Sequence, residues 1–411
     1  MSGYFTRERF GRPQWLAGLL LLAFLAQAVW LVHAEFAVSQ EPDGPEAMRI
    51  REGWKQWRGH GIAGAPFFDA PTTDVFSTSL NKPRFDSEHS PLLYLATAAP
   101  LLAWPEHHLD SESAAYWRWL PRLPFLAVGV FFGASLWYVA RRLCGNPGGF
   151  IALTLYCFSP SLIQAAAVWH TEPDIVAAWG AFGAIFTAIA VAHTLYAPRE
   201  VVLWNWRRIV LVGISLAIAI GSQFSMLVVV PLALGFLLYV APVRRRAALV
   251  IWLTACIVGF ALFFATYFFH PRIFAEAMRH ADFCGATWRA FVLPGVYRQV
   301  AVQLGRSYPL LALALPVASV TYAVWPRSRY FGNTAPLVVA ALFLGLGMAY
   351  PHVAGAGFLL AAIPFLFIFV SGVLADLMET RHRSLVTACI LGILGAYALW
   401  SLLALARVPQ G

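Results

Sequence analysis

The sequence contains few charged residues and few cysteines. Asp, Glu, Lys and Arg make up 12% of the 411 residues, only two cations are lysines (Lys55 and Lys82), and the five cysteines are scattered. Scattered cysteines argue against a disulfide framework and a thiolate metal site. Low charge together with a mean hydropathy of +0.66 excludes a soluble globular protein and indicates a polytopic helical membrane protein.

Apolar runs long enough to cross a bilayer recur from end to end. A hydrocarbon core about 30 Å thick needs roughly 20 apolar residues per crossing, and only helices satisfy their own backbone there. The sequence therefore predicts an all-α polytopic membrane protein with about 11 transmembrane helices, the first of them an uncleaved anchor and not a signal peptide. The predicted spans are 15–33, 120–140, 149–167, 174–196, 209–221, 224–241, 247–268, 304–325, 334–350, 354–375 and 385–406.

The distribution of charge predicts the orientation. Most of the net charge of +9 is arginine beside apolar runs, which indicates topology and not nucleic-acid binding. Two short helices broken near Gly221–Gln223 place every basic cluster on the cytoplasmic side, whereas a single long helix does not. With that topology, 16 of the 20 acidic residues fall on the outer side. We therefore expect the protein to work at its outer face, although long loops simply carrying more polar residues is the alternative.

This topology divides the chain into six segments. They are a cytoplasmic N-terminus (1–14), the first transmembrane helix (15–33), an outer loop (34–119), transmembrane helices 2–7 (120–268), a second outer loop (269–303) and transmembrane helices 8–11 (304–411).

The first outer loop is predicted to contain two interfacial helices. Ala47, Ile50, Trp54 and Trp57 recur at helical spacing with charged residues between them, which is typical of an amphipathic helix lying in the interface. Residues 90–104, "SPLLYLATAAPLLAW", are apolar but too short to cross, so they predict a second interfacial or re-entrant helix.

The order of these features resembles the GT-C class of glycosyltransferases, which includes the protein O-mannosyltransferases and aminoarabinose transferases. An acidic motif, "EPDGPEAMRI", follows the first span, and Ser90-Pro91-Leu92-Leu93-Tyr94 is similar to the "PPL-x-Y" segment of that class. Arg118 and Arg122 lie at the entry to the second span, and the "RRLCGNPGG" turn and Ser159-Pro160 follow in the order of the class. The resemblance covers residues 10–241 and implies a GT-C-like fold and a sugar donor carried on a polyprenyl phosphate.

The acidic motif has two compatible interpretations. Asp43 and Glu46 fit a capping box, in which replacing Asp43 by Ala costs about 1 kcal/mol. A carboxylate at a helix N-terminus also stays ionised and can accept the proton of an attacking hydroxyl or amine. We therefore assign Asp43 and Glu46 as candidate catalytic residues and Glu41 as a candidate for substrate binding, and the choice of base among the three stays open.

The resemblance implies further substrate-binding residues. A second acid often faces the cavity at the turn that reads "WHTEPD" here, which points to Glu172 and Asp174, although these can equally cap the next helix. Phosphate needs outer-face cations, and Arg306 stands out because it lies inside a predicted apolar run. The remaining candidates for substrate binding are His89, Tyr94, Arg122 and Gln223.

Metal and cofactor signals are weak. Histidines and acids near residues 107–112 lack the tight spacing of a zinc site and indicate a solvated loop. No metal ligand is assigned and no cofactor is certain, and a divalent cation near Asp43 and Glu172 is an option that spacing does not support.

The sequence therefore predicts a membrane glycosyltransferase, inverting, that moves a hexosyl or pentosyl group from a polyprenyl-phosphate donor to a lipid, glycan or protein acceptor. The predicted location is the cell inner (plasma) membrane, with the active site on the periplasmic or extracellular side. The alternatives are a transporter or flippase of a lipid-linked or small polar substrate, which would place charged residues and broken helices near mid-bilayer, and a non-catalytic assembly subunit. The sugar, the acceptor and the oligomeric state are not predicted.

Overall fold

The computed structural model of the protein is entirely helical in the parts of the chain that it describes. These parts are residues 7–36, 45–65, 85–103, 119–167, 174–196, 206–283, 287–349 and 357–407. They contain fifteen α-helices, joined in several places by short 3-10 turns. The helices are α1 (Arg7–Phe36), α2 (Pro45–Trp57), α3 (Pro91–Ala98), α4 (Leu123–Cys157), α5 (Pro160–Ala167), α6 (Asp174–Thr194), α7 (Trp206–Ser222), α8 (Val229–Val240), α9 (Arg245–Ala265), α10 (Pro271–His280), α11 (Pro294–Ser307), α12 (Pro309–Val324), α13 (Phe331–Ala349), α14 (Phe358–Met378) and α15 (Arg383–Ala406).

The protein is a multi-pass membrane protein. Among the described residues, seven helices are long and apolar enough to cross a bilayer, or eight if the bent pair α11 and α12 counts as one span. This confirms the all-α membrane class, but the predicted number of about 11 spans is not reached. Three local features account for the difference, and each lies at a predicted span.

The first feature is the 38-residue candidate span Leu120–Cys157, which joins the predicted span 120–140 to the first half of the predicted span 149–167. A straight helix of that length extends about 57 Å, nearly twice the thickness of the hydrocarbon core. Gly145 interrupts it with φ of 75°, a left-handed conformation that glycine adopts without steric cost. The segment therefore consists of two helices that meet at a kink.

The second and third features are short helices and a bend. The segments predicted at 209–221 and 224–241 are helical, but each helix is shorter than a usual spanning helix. The segment predicted as one span at 304–325 is instead broken at Tyr308, where α11 and α12 meet at 116°. The prediction of one continuous span there is wrong, because Pro309 cannot continue the hydrogen-bonding pattern of the preceding helix.

The chain divides into two compact units. The first comprises residues 1–40, 125–169 and 286–411, and the second comprises residues 41–124 and 170–285. The core of the first unit is aromatic: Phe365, Phe367 and Phe369 of α14 are buried, and the Tyr156 ring lies 5.1 Å from that of Phe24.

The second unit is assembled through glycines that let its helices approach closely. A Cβ added to Gly180 of α6 would lie 2.5 Å from the backbone nitrogen of Ala219 in α7. A Cβ at Gly213 of α7 would lie 2.6 Å from the carbonyl oxygen of Ala255 in α9. Small residues at such contacts are the usual means of bringing membrane helices together. The resulting α6–α7–α9 layer supports the polar residues described next.

Candidate functional site

The site begins where the N-terminus of α3 meets the end of α7, within the second unit. The Ser90 hydroxyl accepts a hydrogen bond from the Leu92 amide at 3.2 Å, so Ser90 caps α3, with Pro91 as its first residue. The same hydroxyl donates to the Gly221 carbonyl at 2.6 Å, and the Ser90 amide donates to it at 3.3 Å. A Cβ at Gly221 would lie 2.6 Å from Leu92 Cδ2, so any side chain there would require Leu92 to move.

Directly before this cap, Asp86 organises a hydrogen-bonded cluster that we call the Asp86 cluster (Asp86, His89 and Tyr94). The Asp86 Oδ1 atom accepts from the amides of Glu88 at 2.9 Å and His89 at 3.0 Å. Its Oδ2 atom lies 3.1 Å from His89 Nδ1 and accepts from the Tyr94 hydroxyl at 2.5 Å. Both carboxylate oxygens are therefore occupied, so Asp86 positions its neighbours and is not poised to accept a substrate proton.

The electrostatics of the cluster keep Asp86 ionised. Burial alone would raise the pKa of this carboxyl, but the hydrogen bond and charge of His89 and the hydroxyl of Tyr94 outweigh that effect. The pKa of Asp86 consequently lies well below its ordinary value. Burial and the neighbouring carboxylate raise the pKa of the Tyr94 phenol well above its ordinary value, so Tyr94 stays a donor.

Backbone hydrogen bonds fix the segment around Asp86 to three other parts of the unit. The Asp86 amide donates to the Gly64 carbonyl at 2.9 Å, and the Phe224 amide donates to the Glu88 carbonyl at 2.9 Å. The Asp282 amide donates to the Ser87 carbonyl at 2.7 Å. A residue of this segment cannot shift without breaking one of these bonds.

Helix α2, which begins two residues after Asp43, is attached to the same scaffold. Gln56 is buried, donates to the Thr266 carbonyl at 2.6 Å and accepts from the Ala63 amide at 2.9 Å. The indole of Trp57 donates to the Leu95 carbonyl of α3 at 2.9 Å. Two consecutive side chains therefore fix the C-terminal end of α2.

Gln223 is a buried residue whose side-chain oxygen accepts no hydrogen bond from the described residues. It lies in extended conformation (φ −154°, ψ 119°) between α7 and the next 3-10 turn, where the sequence predicted a break. The side chain is 6% exposed, and its Oε1 atom has no hydrogen-bond partner in the described part of the protein. A buried acceptor of this kind costs free energy unless a donor reaches it.

The other predicted site residues have different outcomes. Arg122 is buried at the end of the 3-10 turn Leu120–Arg122. Arg306 was predicted to lie inside an apolar span, which is wrong: it is exposed in the last turn of α11, ahead of the bend.

Of the five candidate acids in the two predicted motifs, the structure describes the backbone of two and the side chain of none. Glu41, Asp43 and Glu172 lie outside the described residues. Glu46 is the second residue of α2 and Asp174 is the first residue of α6, but their side chains lie outside the described part. The assignment of the base stays a prediction.

The sequence reasoning did not identify Asp86 or Gln56. A local signal for Asp86 existed, since "FDSEHSP" places an Asp before two backbone amides that its side chain can accept from. Gln56 had no such signal, because its partner Thr266 is 210 positions away.

The described residues contain no cluster of three or more His, Cys, Asp or Glu side chains that could hold a metal ion. Glu41, Asp43 and Glu172 are not among the residues searched, so a cation beside them is not tested.

The fold defined by these helices is that of a multi-pass membrane protein, and one solved structure shares much of it. The oligosaccharyltransferase AglB from Archaeoglobus fulgidus, in complex with an inhibitory peptide and a dolichol-phosphate, aligns with a TM-score of 0.52 and 15% sequence identity. The alignment covers 95% of this chain and 56% of that one. A second structure, the A. fulgidus oligosaccharyltransferase in complex with Zn and sulfate, aligns at 0.48 and 14% identity over 78% and 44% of the two chains.

These likenesses concern the fold alone. This chain spans about half the length of the oligosaccharyltransferases it resembles. No protein-family model and no curated protein sequence matches it.

Proposed function

We propose that the protein is an integral membrane glycosyltransferase that moves a sugar from a polyprenyl-phosphate donor to an acceptor at the periplasmic or outer face. The observation that carries this proposal is the fold likeness to AglB over 95% of the chain. AglB was solved with a dolichol-phosphate and a peptide, so a related fold handles both a lipid phosphate and a polar partner. Since one fold can serve many functions, the proposal needs support from the site itself.

The described part of the site supports it through the hydrogen bonds that fix α2, α3 and the Asp86 segment within one unit. The transfer requires the acceptor oxygen or nitrogen to attack the anomeric carbon while the sugar–phosphate bond breaks and the phosphate leaves with the electron pair. The leaving phosphate needs no acid, whereas the acceptor proton needs a base. We assign that base to Asp43, with Glu46 next and Glu41 after it.

The remaining candidates have proposed roles in binding. Arg122 would compensate the phosphate charge, and Gln223 would accept a hydrogen bond from a substrate hydroxyl or amine through its Oε1 atom. Tyr94 and His89 act through Asp86 and hold the wall of the site. Glu172 and Asp174 are proposed to face the same cavity. We also propose 11 membrane crossings, in which the two helices that meet at Gly145 and the two short helices that meet near Gln223 are each counted separately.

The test is turnover by the full chain in lipid nanodiscs, with a polyprenyl-phosphate sugar and a panel of lipid, glycan and peptide acceptors. We expect release of polyprenyl phosphate with transfer of the sugar. Asp43→Asn should lower kcat by about 10²–10⁴-fold, the usual contribution of a general base. Glu276→Gln is the matched control, since it removes one negative charge from an exposed position in α10.

The outcomes separate the parts of the proposal. Turnover like wild type in Asp43→Asn removes Asp43 from the role of base and leaves the transferase assignment standing. No transfer by the wild-type protein to any acceptor, combined with movement of the donor across a proteoliposome membrane, would replace the transferase by the flippase alternative.

A further inference from the structure

A surface on the first unit is exposed although much of it is apolar. It comprises the 3-10 turn Trp288–Val292 and helix α11, and we call it the α11 surface. Trp288 is 76% exposed, Val292 is 82% exposed and Tyr297 is 48% exposed. A single exposed apolar side chain is ordinary, but several on one short segment indicate that something covers them.

The segment is held firmly, so its exposed side chains have defined positions. The Thr287 amide donates to the Ala349 carbonyl at 3.0 Å, and Ala290 and Val296 are buried. The Tyr297 hydroxyl donates to the Phe291 carbonyl at 2.8 Å. Helix α11 therefore packs through one face and presents the rest of its surface outward.

The bend after α11 indicates what lies against that surface. Helix α12 is an apolar helix that begins at Pro309, and α11 meets it at 116°, which is not far from a right angle. If α12 runs across the bilayer, α11 runs close to the membrane plane. Trp and Tyr side chains are enriched at that depth, because their rings are apolar and their N–H or O–H groups reach water.

The positive charge of the segment indicates which kind of partner it binds. Arg289, Arg298 and Arg306 are exposed, and the sequence contains no Asp or Glu between Asp282 and Asp376. Around α11 the apolar positions Val296, Tyr297, Val300, Ala301 and Leu304 form one arc. The polar positions Arg298, Gln299, Gln303 and Arg306 lie on the other side, with the exposed Val302 among them.

We propose that the α11 surface is an interfacial anchor that binds the headgroups of anionic phospholipids. Trp288, Val292 and Tyr297 insert at the level of the acyl boundary, and Arg289 and Arg298 contact the lipid phosphates. The occupant is the bilayer surface and not a second protein, because an apolar arc next to an arginine-rich face matches a lipid layer with phosphates above it.

The depth of insertion is tested with single cysteines in a variant whose five native cysteines are replaced by serine or alanine. A fluorescent probe is attached at Val292→Cys or Tyr297→Cys, and at Gln299→Cys as the matched position on the polar face. In nanodiscs, lipids carrying a shallow spin label should quench the first two probes, and aqueous iodide should quench the third. Val292, Tyr297 and Gln299 are exposed, so labelling them should not disturb folding. Cys157 is buried and is therefore replaced by alanine, and the folding of the cysteine-free protein is checked by gel filtration before labelling.

Two results would overturn the insertion. Iodide quenching of equal strength at all three positions places the surface in water. Protection of Val292→Cys from both iodide and spin-labelled lipid means that a protein covers it.

The contact between the arginines and the lipid headgroups is tested by native mass spectrometry. The protein is mixed with phosphatidylglycerol and phosphatidylcholine, and the bound lipids of each kind are counted. Arg289→Gln and Arg298→Gln should each lower the preference for phosphatidylglycerol roughly fivefold, and the two Arg→Lys variants should retain it. Arg306 is left unchanged because it is a candidate for binding the donor. An unchanged preference in the double Gln variant would refute the headgroup contact.

Discussion

Replacing Tyr94 with Phe removes one hydroxyl from the Asp86 cluster and should weaken the second unit measurably. The hydroxyl donates at 2.5 Å to Asp86, and Tyr94 is only 5% exposed, so water has little access to replace it. A hydrogen bond to a charged group is worth about 1.5–3 kcal/mol. Because Asp86 keeps the two backbone amides and His89, we expect the lower end of that range.

The assay is amide hydrogen exchange on the full chain in nanodiscs, followed by mass spectrometry of peptides covering residues 85–95. A loss of about 1.4 kcal/mol speeds exchange roughly tenfold where opening is local. The Glu88 and His89 amides donate directly into Asp86 and should respond most. Tyr196→Phe is the matched control, since Tyr196 belongs to the same unit and is 51% exposed.

A double-mutant cycle with Asp86→Asn then isolates the contact. If the hydroxyl stabilises the ionised carboxylate, Tyr94→Phe should cost less in the Asp86→Asn background than in the wild type, by about 1 kcal/mol. If Tyr94→Phe costs no more than Tyr196→Phe, or if the two substitutions are additive, the Asp86 cluster is not held by charge and the reasoning about its pKa fails with it.

Three further substitutions test the packing and the polar groups. Gly180→Ala should lower the free energy of unfolding, measured by denaturation, by about 1–3 kcal/mol, because its Cβ would meet the backbone of α7. Gly235→Ala is the control: a Cβ there has nothing within 4 Å, so the change should be neutral or should stabilise the protein by up to about 1 kcal/mol. Gln223→Leu should change stability by less than about 1 kcal/mol, because it removes an acceptor without a partner, yet lower turnover about tenfold or more if that atom binds substrate. Asn333→Ala should cost about 2–3 kcal/mol in the same denaturation assay, since its buried amide donates to the Ser328 carbonyl at 2.9 Å and to Asp376 at 3.0 Å.

The sequence predicted helices wherever hydrophobicity alone decides the structure. The apolar part of α1 (Gln14–Ala34) and helices α14 and α15 coincide closely with predicted spans, because an apolar run in lipid has no other way to satisfy its backbone. The break at Gly221–Gln223 was also predicted correctly, from the requirement that basic clusters share one side. Helices α2 and α3 were recognised from amphipathic spacing and from length.

The parts that could not be predicted depend on contacts between distant residues. The bend at Tyr308 is sharp because Pro309 starts a new helix, and a hydropathy average over 304–325 does not register it. The role of Asp86 depends on Tyr94 and on the Gly64 carbonyl, which the chain brings together only when the unit is folded. Gln56 illustrates the same limit, because nothing near it in the sequence indicates that Thr266 will be its acceptor.

Direct contacts within the second unit link the helix that follows Asp43 to the helix that follows Glu172. Helix α2, which begins just after Asp43, is fixed to α3 through Trp57, and α3 is fixed to α7 by the two hydrogen bonds from Ser90 to the Gly221 carbonyl.

Helix α7 in turn packs on α6, where Gly180 leaves no space for a side chain, and α6 begins just after Glu172. Helices α2 and α6 are thus linked through α3 and α7 by hydrogen bonds and close packing, and not only by loops. Catalysis by positioned groups depends on such fixed distances, since errors of about 1 Å can cost a hundredfold in rate. The proposed action of Asp43 and Glu172 on one substrate requires a scaffold whose helices are linked in this way.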